Sequence, residues 1–251
     1  MTNQTTSTID ALEVDRFAAL ADEWWDPHGP FAPLHKLNPI RLGFIRDQIC
    51  DRFGRDGLSG KPLQGLEILD AGCGGGLISE PLARMGAVVT GVDAADKNVE
   101  AASIHAAQMG LAIDYREGTV EMLCDQGRTF DVVLAIEIVE HVADVNLFTQ
   151  ACGSLVKPGG ILICSTISRT LKSLALAKIG AEYILRWLPR GTHDWRRFLT
   201  PAELSRAFRD AGLVTDAVTG VGFDPVNRDW ALTDDLTVNY MITASKPGGS
   251  T

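Results

Sequence analysis

The chain has 251 residues, 45% of them hydrophobic and 22% charged, with a net charge of -9. That is enough to bury one sizeable α/β domain with additions, and the acidic balance disfavours nucleic acid, whose phosphates would be repelled. Five scattered cysteines without a C-x-x-C pair, a first stretch lacking Lys and Arg, and no long apolar run argue against a disulfide framework, a zinc knuckle, a secretory leader or a membrane span, and suit a reducing cytoplasm.

Residues 1–9 are polar and read as a disordered tail. Residues 10–53 read as a helical segment. It holds an amphipathic helix over 10–26, with Phe17, Leu20 and Trp24 on one face, a loop over 27–39 carrying four prolines, and a second helix over 40–53. The main domain is expected over 54–251, its polar stretch 51–65 being a surface elaboration. Strands are predicted at 66–70, 87–93, 112–118, 130–136, 160–166, 213–220 and 238–244. Helices are predicted at 76–86, 95–109, 144–156 and 201–211, with "KPGG" ending the third. The last helix carries Thr200 as its cap, Pro201 at its first position and Glu203 three after the cap. Alternation of this kind predicts a mostly parallel seven-stranded sheet with helices on both faces, a Rossmann-like α/β fold.

The strand 66–70 ends in Asp70, and Gly72, Gly74, Gly75 and Gly76 follow it; the next strand ends in Asp93. In open parallel sheets ligands bind beyond the carboxyl ends of the strands at this place. A dinucleotide fingerprint needs G-x-G-x-x-G, but counting from Gly72 puts Leu77 at the last glycine. The spacing is D-x-G-x-G-x-G instead. A carboxylate two residues before the first glycine would repel a pyrophosphate and suit an ammonium group. Asp93 stands where an acid accepts hydrogen bonds from ribose hydroxyls. A ribose, a positive charge and no phosphate describe S-adenosylmethionine.

With "FDVVLAIEIVEHV" at the fourth strand, the sequence resembles the Rossmann-like S-adenosylmethionine-dependent methyltransferases. The resemblance implies that Asp70, Gly72 and Gly74 lie near the cofactor's methionine part and Asp93 on its ribose. It places Glu117, Thr119 and Val120 around the adenine, and the backbone of Ile136 on the amino group. "WWDPHGPFAPLHKLNPIRLGFI" (24–45), "LVKPGG" (155–160), "GAEYILRWLPRGTHDWRRFLTPAEL" (180–204) and "VNYM" (238–241) narrow this. They look like the ubiquinone-biosynthesis O-methyltransferase family over most of residues 13–244. That family methylates ring hydroxyls of a 2-polyprenyl-6-hydroxyphenol and a demethylubiquinol. The resemblance also implies that Arg41 contacts the cofactor carboxylate, which a guanidinium can hold bidentately.

A phenol is a weak nucleophile until it loses its proton. If "EIVEH" turns helical after the fourth strand, Glu137, Glu140 and His141 share one face. Three readings stand: the group shapes the pocket, His141 acts as base beside Glu137, or Glu137, Glu140 and His141 ligate Mg2+ or another divalent cation. His193 is a weaker base candidate near the mouth. His28 and His35 are expected to shape the pocket, and His105 to lie on the surface.

Residues 169–190, within an expected lid insert over 168–199, form a cationic amphipathic pattern with a Trp near its end. Such a helix suits a membrane surface. The expected partners are therefore a polyprenylated phenol or quinol, the inner face of a membrane touched peripherally from the cytoplasm, and other ubiquinone-biosynthesis proteins. Alternative functions are methylation of another small phenol and a non-catalytic cofactor-binding scaffold.

Overall fold

The structure, a computed structural model, describes residues 8–175, 195–224 and 229–248. The N-terminal segment holds α1 (Ala11–Ala18) and α2 (Ala32–Phe53). The sheet domain then runs β1 (Glu67–Ala71), α3 (Ser79–Arg84), β2 (Val88–Asp93), α4 (Asp96–Gln108), β3 (Asp114–Glu117), α5 (Val120–Asp125) and β4 (Phe130–Ile136). It continues with α6 (Val145–Leu155), β5 (Val156–Ile167), the single turn α7 (Leu171–Ser173), α8 (Pro201–Asp210), β6 (Val214–Asp224), β7 (Asp229–Thr233) and β8 (Asn239–Ser245).

The strands form one sheet in the order β3-β2-β1-β4-β5-β8-β6-β7. The first five are parallel, and β8, β6 and β7 add antiparallel pairs at one side. Side chains alternate across the pleat. Ile68, Val132, Leu134, Ile161 and Ile163 face α2 and α3, where Ile45, Ile49 and Leu82 close one core. Leu69, Val133, Leu162 and Tyr240 face the other way, against Phe148, Leu204 and Phe208. Because both faces are covered, the parallel strands read as continuous apolar runs.

Among the described residues the sheet has eight strands rather than seven. The extra one, β7, pairs with the end of β6 from Gly220↔Thr233 to Asp224↔Asp229. It is a short edge strand without a strong alternating pattern. Helix α6 ends at Leu155 and strand β5 begins at Val156, so "KPGG" follows the helix as expected but already lies inside the strand; a register shift between Phe130 and Val132 absorbs the irregularity. The first helix stops at Ala18, and Trp24 follows a separate 3-10 turn over Ala21–Glu23. The second helix starts at Ala32, eight residues before the expected start at 40. Pro33 sits in its first turn, where the missing N–H has no helical partner anyway. Pro39 removes one interior bond. Burial of Leu37, Phe44, Ile45 and Ile49 on the same helix outweighs that loss.

Helix α8 begins as the sequence predicts. The Thr200 hydroxyl accepts from the Glu203 N–H at 3.3 Å, and the Glu203 carboxylate accepts from the Thr200 N–H at 2.9 Å. Thr200→Ala is therefore expected to lower stability by about 1 kcal/mol, read as a fall in denaturation midpoint that Thr200→Ser does not show.

Candidate active site

The loop after β1 turns through left-handed glycines, with φ of 72° at Gly72, 51° at Gly74 and 88° at Gly76. What these glycines admit is chiefly protein. A Cβ on Gly74 or Gly75 would lie 2.6 or 2.3 Å from the Trp24 side chain, one on Gly76 2.2 Å from the Tyr115 hydroxyl, and one on Gly72 2.7 Å from Ile138. The N-terminal segment thus rests on the loop. Trp25 Nε1 donates to the Gly75 carbonyl at 2.9 Å, and the Trp24 and Phe31 rings stack at 3.7 Å.

Two acids flank this loop, Asp70 buried and Asp93 half-buried. Asp70 is 2% exposed and accepts a hydrogen bond from Ser79 Oγ at 2.6 Å. Burial, opposed in part by that bond, raises its pKa from an ordinary 3.8 to about 6. Asp93 takes donors from the Gly74 N–H at 2.9 Å, the Ala95 N–H at 2.9 Å and Asn98 Nδ2 at 3.1 Å. Burial still raises its pKa, because it outweighs those bonds. Each carboxylate is held ready for a positive or hydrogen-donating ligand.

Beyond Leu134, the last residue of β4 that pairs with β1, the strand pairs only with β5, and Ile136 lines the cleft. Glu137 then adopts φ 54°, so the helix predicted over 137–141 does not form. A left-handed non-glycine residue is uncommon and typical of functional turns. The three candidate side chains consequently diverge. Glu137 accepts from Arg41 at 2.7 Å and from the Ser165 hydroxyl. Glu140, fully buried, accepts from Thr166 at 2.8 Å through one oxygen, while its other oxygen has no partner. Burial, then the Glu137 charge, raises the Glu140 pKa. His141 Nδ1 lies 2.8 Å from Glu13, which reaches it from α1. Burial opposes charging of His141, but Glu13 and Glu140 prevail and its pKa is raised. Among the described residues no three such side chains converge as a ready metal site.

Arg41 is 3% exposed, and its Nε is buried without a partner. A ligand carboxylate would satisfy it. Gly118, Thr119 and Val120 line the same cleft, while Glu117 is exposed at the end of β3. Thr119 also caps α5, accepting from Met122 N–H at 3.3 Å. These surfaces line one open cavity of about 2370 Å³, whose walls also include His141, Phe31, Phe223 and Trp230.

Some expected roles shift. His105 is not a surface residue: its ring stacks on Trp25 at 3.5 Å and its Nδ1 lies 2.6 Å from the buried Glu80. His28 lines the cavity, and His35 bonds the Trp24 carbonyl at 2.9 Å. His193 and most of the cationic stretch 169–190 lie outside the described residues. Sequence reasoning missed Glu13, Ser79, Asn98, Ser165 and Thr166. That the N-terminal segment packs on the site was already implied by the pocket roles expected of Arg41, His28 and His35.

A family model described as a methyltransferase domain matches residues 42–218. A ubiquinone biosynthesis O-methyltransferase of Chelativorans sp. (strain BNC1) is 55% identical over 96% of this chain and 95% of its own length. That of Mesorhizobium japonicum is 56% identical over 96% of each. The chain belongs to the ubiquinone biosynthesis O-methyltransferase family. Among solved structures, magnesium protoporphyrin IX methyltransferase (ChlM) from Synechocystis PCC 6803, with bound SAH, superposes with a TM-score of 0.64. It is 20% identical, covering 94% of this chain and 99% of that one. The [4+2]-cyclase SpnF gives 0.57 at 18% identity, covering 82% of each. At these identities the likeness is of fold. The O-methyltransferase thus carries its two flanking acids on a fold that also serves other chemistry.

Asp70 has a stability signature that can be checked. Its pKa is higher folded than unfolded, so the folded state loses stability as pH rises from about 4 to about 6, and the loss is complete above that. In the ligand-free O-methyltransferase, Asp70→Asn is expected to raise stability by up to about 3 kcal/mol at pH 8 and to change it little at pH 4. Thermal melts at the two values check this.

Proposed function

We propose that this enzyme methylates a ring hydroxyl of polyprenylated phenols and quinols, 2-polyprenyl-6-hydroxyphenol and 3-demethylubiquinol, in ubiquinone biosynthesis. The observation that carries this reading is the continuity of the cavity. The polar groups Asp70, Asp93 and Arg41 line the same cavity as His141 and Glu13 and as the apolar, aromatic side chains of Phe223 and Trp230. At about 2370 Å³, it exceeds the roughly 300–1,000 Å³ of a common small-ligand pocket. It therefore has room for a cofactor and a long hydrophobic acceptor side by side.

S-Adenosylmethionine, when bound, supplies a methyl group on a positively charged sulfur. Arg41 would hold its carboxylate through the unpartnered Nε, with Ile136 and Asp70 toward the amino group. Asp93 would accept from the ribose, and Thr119 and Val120, with Glu117 at the edge, would flank the adenine. His141 lines the cavity, and its Nδ1 is fixed by Glu13. It would take the proton of the acceptor hydroxyl, leaving the oxygen to receive the methyl group that the cofactor would supply. The apolar wall keeps water out and aligns the ring for this transfer.

The unpartnered oxygen of buried Glu140 favours a second form of the same reaction. Glu137, Glu140 and His141 would have to turn toward one another from their separate partners to hold Mg2+ or another divalent cation, which would make the phenol more acidic. A histidine whose other nitrogen bonds a carboxylate suits metal ligation as well as base catalysis. The basic stretch 169–190, on a chain whose described helices include none long and apolar enough to cross a membrane, fits peripheral contact with the bilayer that holds the acceptor. Other proteins of the pathway would meet the enzyme there.

The test mixes labelled S-adenosylmethionine, detergent and a short-tailed 6-prenyl catechol with the protein, with and without a chelator. Label in the methoxy product is expected, and His141→Asn should lower kcat by about 100-fold or more. Loss of turnover on chelation, restored by Mg2+, assigns the carboxylates and His141 to a metal. Unchanged turnover assigns His141 as the base. No label despite intact cofactor binding would overturn the choice of acceptor.

A further inference from the structure

The Gly74 and Ala95 N–H groups and one side-chain amide hold Asp93, and the group that orients that amide comes from the N-terminal segment. Asn98, 2% exposed on the first turn of α4, donates through Nδ2 to Asp93 at 3.1 Å. Its carbonyl Oδ1 accepts from Trp24 Nε1 at 2.9 Å. An amide can present either its NH2 or its oxygen to a neighbour, so its orientation must be set by partners. An indole N–H can only donate. Trp24 can therefore satisfy Asn98 only at its oxygen, and this turns the NH2 toward the carboxylate. The reverse orientation would set the amide oxygen against Asp93 and the amide donors against the indole N–H.

Trp24 is itself held tightly. It is 8% exposed, its ring stacks on Phe31 at 3.7 Å with an interplanar angle of 5°, and it fills the space above Gly74 and Gly75. Its carbonyl bonds the His35 ring at 2.9 Å. It also precedes residues 42–218, which carry the methyltransferase domain match.

We propose that Trp24 is a positioning residue for ribose recognition. Through Asn98 it locks Asp93 in the rotamer that receives the ribose hydroxyls, so the N-terminal segment completes the cofactor site. This rests on the reading of Asp93 as the ribose acid.

The test is calorimetric binding of S-adenosylhomocysteine and of its analogue lacking both ribose hydroxyls. Wild type should prefer the natural ligand by tenfold or more. Trp24→Phe, which keeps an aromatic ring and removes the donor, should lose roughly tenfold in affinity for the natural ligand and little for the analogue. Should Trp24→Phe not fold, benzothienylalanine at position 24 keeps the bicyclic shape, deletes only the N–H and should show the same selective loss. Equal weakening of both ligands means a merely structural role and overturns the proposal, as does no change in either. If wild type fails to distinguish the two ligands while binding both, the ribose reading of Asp93 falls, and the relay falls with it.

Discussion

Two carboxylates held away from water near the ends of adjacent strands are the constraint around which the rest of this protein is arranged. Asp70 is the last but one residue of β1 and Asp93 the last of β2, and both face the glycine loop. Asp70 is buried and Asp93 half-buried, and loss of hydration raises the pKa of each. Ser79, Asn98 and the loop N–H groups offset part of the penalty. They do not remove it, so the site favours a ligand that brings positive charge or hydrogen-bond donors. Such instability at a binding site is a common cost of preorganisation.

The remaining parts follow from enclosing those acids. The N-terminal segment lays Trp24 and Trp25 over the glycine loop and Glu13 beside His141. Helix α2 brings the buried Arg41 to Glu137 at the turn after β4. Strands β6 and β7 add the aromatic wall of Phe223 and Trp230, whose rings meet edge to face at 5.9 Å. The sheet is shared with proteins of different chemistry, so the assignment to acceptor methylation rests on these additions and on close relatives, not on the fold.

What the sequence showed and what it hid divide by range. Buried parallel strands read as apolar runs ending in acids, so β1, β2 and β4 were legible, with Asp70 and Asp93 at their ends. The box at Thr200 and Glu203 was legible because its partners are three residues apart. The turn at 137–141 was not: its backbone follows a left-handed Glu137, a conformation no pattern of Glu and His announces. The glycines' neighbours were hidden too, because Trp24 meets Gly75 only in the folded chain. His105 was misplaced for the same reason, since its ring is covered by Trp25 from another segment. The edge strand β7 lacked the apolar run that marks the buried strands.

The account stands or falls on how the cofactor sits. A crystal structure of the full chain with S-adenosylhomocysteine tests it most directly. The account predicts ribose hydroxyls on Asp93, the amino-acid carboxylate on Arg41 Nε, and Trp24 still donating to Asn98. A ligand bound elsewhere in the cavity, or a ribose that does not touch Asp93, would contradict it.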